Sequence, residues 1–204
     1  MGSSKKFTKF LKGAKPFILF VSLFYLSFYI PLTLIIYMPY WYKLNCNLHT
    51  RCEEIGYERS YRGIDELTSF FLHRGELTSF LTKKEKLHLT EVRGIFDEMF
   101  FIGIIAIILL VITFERRWIS RFAIINVLII LSLLVVLPFF KTFWTEVFHP
   151  ILFDNDLWRN NRFDLSFYIM PRKFFMYTIV LLIVNCSLLN LVTWYVFKKR
   201  TWNH

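Results

Sequence analysis

The chain has 204 residues, 55% hydrophobic and 20% aromatic, with a formal net charge of +10. That apolar content is outside the range of ordinary soluble domains and points to an integral membrane protein. The cations sit at the ends of apolar segments rather than along a polar face, which excludes nucleic acid as the expected partner.

Lys5, Lys6, Lys9, Lys12 and Lys15 precede the first apolar segment, about 16–38. Its basic flank is that of a signal peptide, but the run is too long and no small-residue cleavage site follows. It is expected to remain as a membrane anchor. The connection 39–97 is too long for a structureless loop, so a helical cap is expected there. Within it ELTSF occurs at 66–70 and again at 76–80, read as short helical turns. Tyr37, Tyr40, Trp41 and Tyr42 read as an aromatic belt at the membrane surface. Cys46 and Cys52 are equally compatible with a disulfide and with two free thiols.

Thr82 and Glu85 have the spacing of a capping box, and no proline follows before Phe114. One helix is therefore expected from about Lys83 through the second span, about 98–114. Arg116, Arg117 and Arg121 separate it from a third span at about 122–140. A fourth, about 174–197, is followed by Lys198, Lys199 and Arg200. The expected fold class is all-α: an integral membrane four-helix bundle in one domain, residues 1–204, with an outward-facing helical cap between spans one and two. The positive-inside rule assigns the three cation clusters, and so both termini, to the cytoplasm. Connections 39–97 and 141–173 then face outward.

Two windows on that outer side carry chemistry. His149 opens HPILFDNDLW, at the outer end of the third span, where polar and titratable side chains are costly unless they act. Trp144 and Phe148 are placed to shield it, and Asp154, Asn155 and Asp156 follow. An N-cap and turn cluster is the structural alternative. His88 lies three residues after Glu85 and three before Glu91. On a helix both acids share its face, as in a base held by an orienting carboxylate, or as in a solvated charged face. No HxxxH or HExxH pair supports a metal, no GxSxG elbow supports a serine nucleophile, and the spans lack midplane charges for transport.

These windows resemble the bacterial lipoprotein intramolecular transacylases, four-span proteins of low-GC Gram-positive bacteria. KEKLHLTEV matches a Glu-x-x-His-x-x-Asp/Glu-Val pattern at Glu85, His88, Glu91 and Val92. HPILFDNDLW, Asp164 and PRKFF (171–175) match the second pattern, although the intervening RNNRF is a residue shorter and lacks a proline. The resemblance implies transfer of the sn-2 acyl chain of a diacylglyceryl-cysteine lipoprotein to the cysteine α-amine, giving the N-acyl lyso-form at the outer leaflet of the bacterial cell membrane. It implies no cofactor and no metal. The implied partners are the diacylated lipoprotein substrate and membrane lipid. His149 and His88 are then the expected catalytic pair. Asn155 and Asp156 would orient His149 or the intermediate, Glu85 or Glu91 would orient His88, and Trp158 and Asp164 complete the substrate-binding or orienting set. A non-catalytic lipoprotein-binding or sensor subunit is the alternative, and it has no need of both histidines.

Overall fold

A computed structural model describes residues 2–78 and 80–198, with side chains described from residue 13 onward. Lys5, Lys6, Lys9, Lys12, Lys199 and Arg200 lie outside the described side chains, as does Ser79 of the second ELTSF run. The elements in order are α1 (Gly2–Tyr37), α2 (Pro39–Asn47), α3 (Arg51–Ile55), α4 (Tyr57–Phe71), α5 (Lys83–Ile112) and α6 (Arg116–Ser132). They are followed by a 3-10 segment (Leu133–Phe139), α7 (Phe140–Thr142), a π-helical turn (Phe143–Phe148), α8 (His149–Leu152), α9 (Leu165–Ile169) and α10 (Arg172–Lys198). No strand occurs among the described residues.

Four helical stretches are long and apolar enough to cross a membrane: Gly13–Tyr37, Lys83–Ile112, Arg116–Leu152 and Arg172–Lys198. The second bears out the single uninterrupted helix expected from Lys83. The third differs from expectation, since helical backbone continues past Phe140 to Leu152 and takes in Lys141, Glu146 and His149. Its turns change size along the way. Pro138 and Pro150 lack an N–H, and each ring crowds the carbonyl four residues back. The 3-10 segment contains Pro138, and the π-helical turn ends just before Pro150.

The chain divides into two compact units. The first comprises residues 1–31, 99–133 and 182–204. Its core is Leu19, Leu23, Ile119 and Ala123, flanked by Trp118, Phe122 and Trp194. Gly103 sits against the Tyr29 ring, where an added Cβ would come within 2.9 Å. The Tyr25 hydroxyl donates to the Met99 carbonyl at 2.5 Å. Asn126 and Asn190 are buried and meet at 3.3 Å. Phe101, Ile105, Ile108, Val111 and Ile112 remain exposed on α5, the surface a bilayer would cover.

The second unit comprises residues 32–98 and 134–181. Its core gathers Ile64, Leu67, Phe70 and Phe71 of α4 with Leu89, Leu165, Ile169 and Phe174. Helix α4 comes so close to α9 that a Cβ on Gly63 would fall 2.5 Å from Leu165 Cδ2. Cys46 and Cys52 form a disulfide, with Cα atoms 5.5 Å apart. Beside it the Arg51 guanidinium donates to the Phe167 carbonyl at 2.9 Å and covers the Phe167 ring. Tyr42, expected in a surface belt, is instead buried and stacks on Phe174 at 5.0 Å. The two ELTSF runs also part company. Residues 66–70 lie inside α4, whereas 76–78 are not helical, because the Glu66 carboxylate accepts from the Thr78 amide and hydroxyl. A side chain from the first copy thus holds the second in an irregular turn.

Candidate active site

The start of α5 is fixed before its histidine is reached. The Glu85 carboxylate accepts from the Thr82 amide at 2.8 Å while the Glu85 amide donates back to Thr82 Oγ1 at 3.3 Å. This is the reciprocal capping box expected from the sequence. Its other oxygen, Oε1, accepts from both the amide and the hydroxyl of Ser166, each at 2.7 Å. Glu85 is only 2% exposed, so these donors take the place of water around a buried carboxylate. Asp164, also 2% exposed, accepts from Lys84 Nζ at 2.6 Å and from the Asn161 amide at 2.7 Å. The Thr82 hydroxyl lies 2.9 Å from Glu85 Oε2 and 3.0 Å from Asp164 Oδ1, and its one proton serves one carboxylate at a time. Lys84 also donates to the Arg159 carbonyl at 2.7 Å. The first turn of α5 is therefore tied to the segment 159–166.

One turn further along α5, His88 faces the 148–158 segment. Its ring meets Phe153 edge-on at 4.7 Å between centroids and lies 6.5 Å from the ring of His149. His88 Nδ1 is 3.6 Å from Glu91 Oε2. That distance is too long for a hydrogen bond to the neutral ring and suits an ion pair with the protonated one. The other Glu91 oxygen accepts from Asn155 Nδ2 at 2.8 Å, and Asn155 Oδ1 accepts from the Leu157 amide at 3.0 Å. Asn155 thus belongs to the His88 side of the site.

His149 is 5% exposed and enclosed by aromatic rings. Trp158 stacks on it at 4.1 Å, while Trp144 meets it edge-on at 4.7 Å and Phe148 at 5.5 Å. Trp144 is itself wedged against Phe175 at 4.5 Å. His149 Nδ1 lies 2.7 Å from the Trp144 carbonyl oxygen. A carbonyl has no proton to give, so Nδ1 carries the hydrogen and Nε2 holds the free lone pair of the neutral ring. Asp156 is exposed and pairs with Arg159 Nε at 3.0 Å. A cleft of about 250 Å³ opens beside this segment, lined by Phe153, Asp154, Asn155, Asp156, Trp158 and Arg159 with Thr145 and Pro150. Phe153 and Trp158 therefore each have a histidine at one side and the cleft at another.

Of the expected residues, the fold brings together His88, His149, Glu91, Asn155 and Trp158. It places Glu85 and Asp164 in the network at the start of α5, and Asp156 in the open. Sequence reasoning set Ser166 aside as an unmarked serine and did not single out Lys84 or Phe153. The signal for Ser166 was a hydroxyl residue two places after an Asp at the start of an apolar run, which marks a helix start as readily as a network. Among the described residues no group of three His, Cys, Asp or Glu is arranged to hold a metal.

This combination defines a polytopic all-helical membrane protein in which a buried histidine, His149, and a half-buried one, His88, share an aromatic enclosure. Residues 16–175 match the family described as lipoprotein intramolecular transacylase Lit, and the chain belongs to that family. It is an acyltransferase of lipoproteins by that membership. The fold is similar to the in meso structure of the membrane integral lipoprotein intramolecular transacylase Lit from Bacillus cereus. That match has a TM-score of 0.82 at 17% identity, covering 96% of this chain and 100% of that one. Two structures of that protein with a histidine replaced, one by alanine and one by arginine, both give a TM-score of 0.79 at 16% identity. They cover 97% and 96% of this chain and 96% and 94% of theirs. No curated protein matches the sequence significantly.

Proposed function

We propose that the protein moves the sn-2 acyl chain of a diacylglyceryl-cysteine lipoprotein onto the α-amine of the same cysteine, with His149 as proton acceptor and His88 as its partner. The observation that carries this reading is the state of His149. Its ring is enclosed by aromatics, Nδ1 is committed to the Trp144 carbonyl, and Nε2 is left basic. An α-amine has a pKa near ~8 and is mostly protonated at neutral pH, so it needs a base before it can attack. His149 Nε2 takes that proton. The amine then attacks the sn-2 ester carbonyl, one C–N bond forms, and the C–O bond to glycerol breaks. The imidazolium sheds this first proton to solvent, takes the second from the nitrogen of the tetrahedral adduct, and delivers that one to the leaving glycerol oxygen, so that one proton is released overall. Exchange of an ester for an amide is downhill and draws on no energy source. Both reacting groups sit on one molecule, so holding them in register supplies much of the rate.

His88 is the second ring of the site and takes on charge only as the reaction proceeds. Glu91 at 3.6 Å stabilises its imidazolium, and Asn155 holds Glu91 in place. A second positive ring near the reacting carbonyl favours the oxyanion of the tetrahedral intermediate. Glu85, Asp164, Thr82 and Ser166 act at one remove by fixing the first turn of α5. Trp158 and Phe153 present apolar faces to the glyceryl and acyl parts, and Asp156 with Arg159 forms the outer polar rim of the cleft.

The site faces outward in a bacterial cell membrane, and both termini are cytoplasmic. Three groups of cations at the termini and the 115–121 loop support this orientation, as does the disulfide in the cap, since disulfides persist in oxidising surroundings. Mass spectrometry of a lipoprotein N-terminus tests the reaction in a host that makes only diacyl lipoproteins. The wild type is expected to shift one acyl chain from glycerol to the amine without change of mass. An unaltered diacyl N-terminus, with the protein present and folded in the membrane, would sink the proposal.

A further inference from the structure

We propose that the π-helical turn Phe143–Phe148, held open by Pro150, fixes the ring proton of His149 on Nδ1 and so presents Nε2 as the basic nitrogen. Pro150 and the Trp144 carbonyl are then positioning groups for the base. The inference rests on the reading of His149 as proton acceptor, and it concerns how the fold prepares that residue.

The Trp144 carbonyl accepts two bonds from one residue. The main-chain N–H of His149 reaches it, five residues on, and so does the His149 Nδ1–H at 2.7 Å. A carbonyl oxygen has two lone pairs, so both bonds are satisfied together. In a regular α-helix the register would differ. The Trp144 carbonyl would receive the amide of Phe148, and the His149 amide would go to Thr145. The wider turn therefore hands the Trp144 oxygen to His149 twice.

Pro150 gives the turn its reason. An α-helical residue at 150 would donate to the Glu146 carbonyl, but proline has no hydrogen there and its ring crowds that oxygen. Adding one residue to the turn moves the carbonyl away, and regular bonding resumes with the Phe153 amide on the His149 carbonyl at 2.8 Å. Widened turns of this kind are otherwise uncommon and concentrate where a helix serves a function. The ring is also prevented from turning over. Trp158 lies flat against it at 4.1 Å and Trp144 abuts it at 4.7 Å.

The test is the ring-proton position, read by ¹⁵N NMR on the full-length protein in lipid bilayers with labelled histidine, the His149 signals being assigned by their loss in His149→Gln. The wild type is expected to show a protonated Nδ1 and a bare Nε2 in the neutral ring. Pro150→Ala is expected to mix the two neutral tautomers. On a diacyl lipopeptide it should lower kcat about 10- to 100-fold with KM nearly unchanged. Trp144→Phe keeps the carbonyl and should keep the wild-type ring signals. A wild-type ring protonated on Nε2, or a Pro150→Ala ring indistinguishable from wild type, overturns the proposal. The wild-type spectrum needs no variant, so poor folding of Pro150→Ala leaves the first outcome readable. The two readings fail separately. Full activity in His149→Gln would remove the role as base, whereas the wrong tautomer in an otherwise His149-dependent enzyme would remove only the positioning device.

Discussion

Asn126 and Asn190 meet at 3.3 Å in a unit otherwise packed by Leu19, Leu23, Ile119, Ala123 and aromatic rings, and Asn126 Oδ1 has no further partner among the described residues. In the other unit, Glu85 and Asp164 are as deeply buried, yet their oxygens accept from Thr82, Ser166, Lys84 and Asn161. The first unit holds its helices largely by close apolar contact, as at Gly103 against Tyr29, with neutral polar contacts such as Asn126–Asn190 and Tyr25–Met99. The second fixes backbone positions by saturated carboxylates and a disulfide. Helices in lipid gain no hydrophobic drive from one another, because lipid tails are as apolar as their side chains, so close van der Waals packing carries much of their association. A unit that must hold two histidines in a set relation needs directional bonds, because apolar packing alone tolerates small displacements that disrupt catalysis.

Substitutions in the two units should therefore differ in kind as well as size. The largest effect belongs to the histidines: His149→Ala is expected to lower acyl transfer on the order of 10²- to 10⁴-fold, measured on a diacyl lipopeptide. Next is Glu85→Ala, which strands the Ser166 and Thr82 donors in a buried setting. A loss of about 3 kcal/mol is expected, read as a lowered Tm, and Glu85→Gln should recover part of it. Removing the Cys46–Cys52 link by paired serine substitution should cost about 2 kcal/mol, with a short loop giving the modest value. Asn190→Leu in the first unit is expected to change stability by only about 1 kcal/mol, since polar pairs between membrane helices contribute little. Asp156→Asn breaks only an exposed pair with Arg159 and should change stability by less than about 0.5 kcal/mol, read as a nearly unchanged Tm. A loss from Asn190→Leu as large as that from Glu85→Ala would erase the distinction between the units.

Much of this architecture was legible in the sequence because it rests on strong local signals. Apolar length gave the spans, Thr82 and Glu85 gave the start of α5, and the two histidine windows gave the residues that the fold brings together as a candidate site. What escaped depends on partners distant in the chain. Glu85 was read as a companion of His88 from their spacing, but Ser166, eighty-one residues later, draws its second oxygen. Asn155 adjoins His149 in sequence and yet holds Glu91, because an Asx turn at Leu157 aims its amide toward α5. Tyr42 looked like one more ring of a surface belt until α10 supplied Phe174 as its stacking partner. The identical ELTSF runs adopt different backbones for the same reason. The change of turn size before Pro150 has a visible cause in the proline, but sequence alone does not say whether a helix there kinks, ends or widens.

The central claim is that two histidines move an acyl chain within one lipoprotein, and its most direct measurement is tandem mass spectrometry of one abundant lipoprotein's N-terminal peptide. It would be made from cells producing only diacyl lipoproteins and expressing the wild type, His149→Ala or His88→Ala. The account predicts an N-acylated cysteine with a lyso-glyceryl group for the wild type, at unchanged total mass, and the original diacylglyceryl form for both variants. N-acylation that persists in both variants would contradict it.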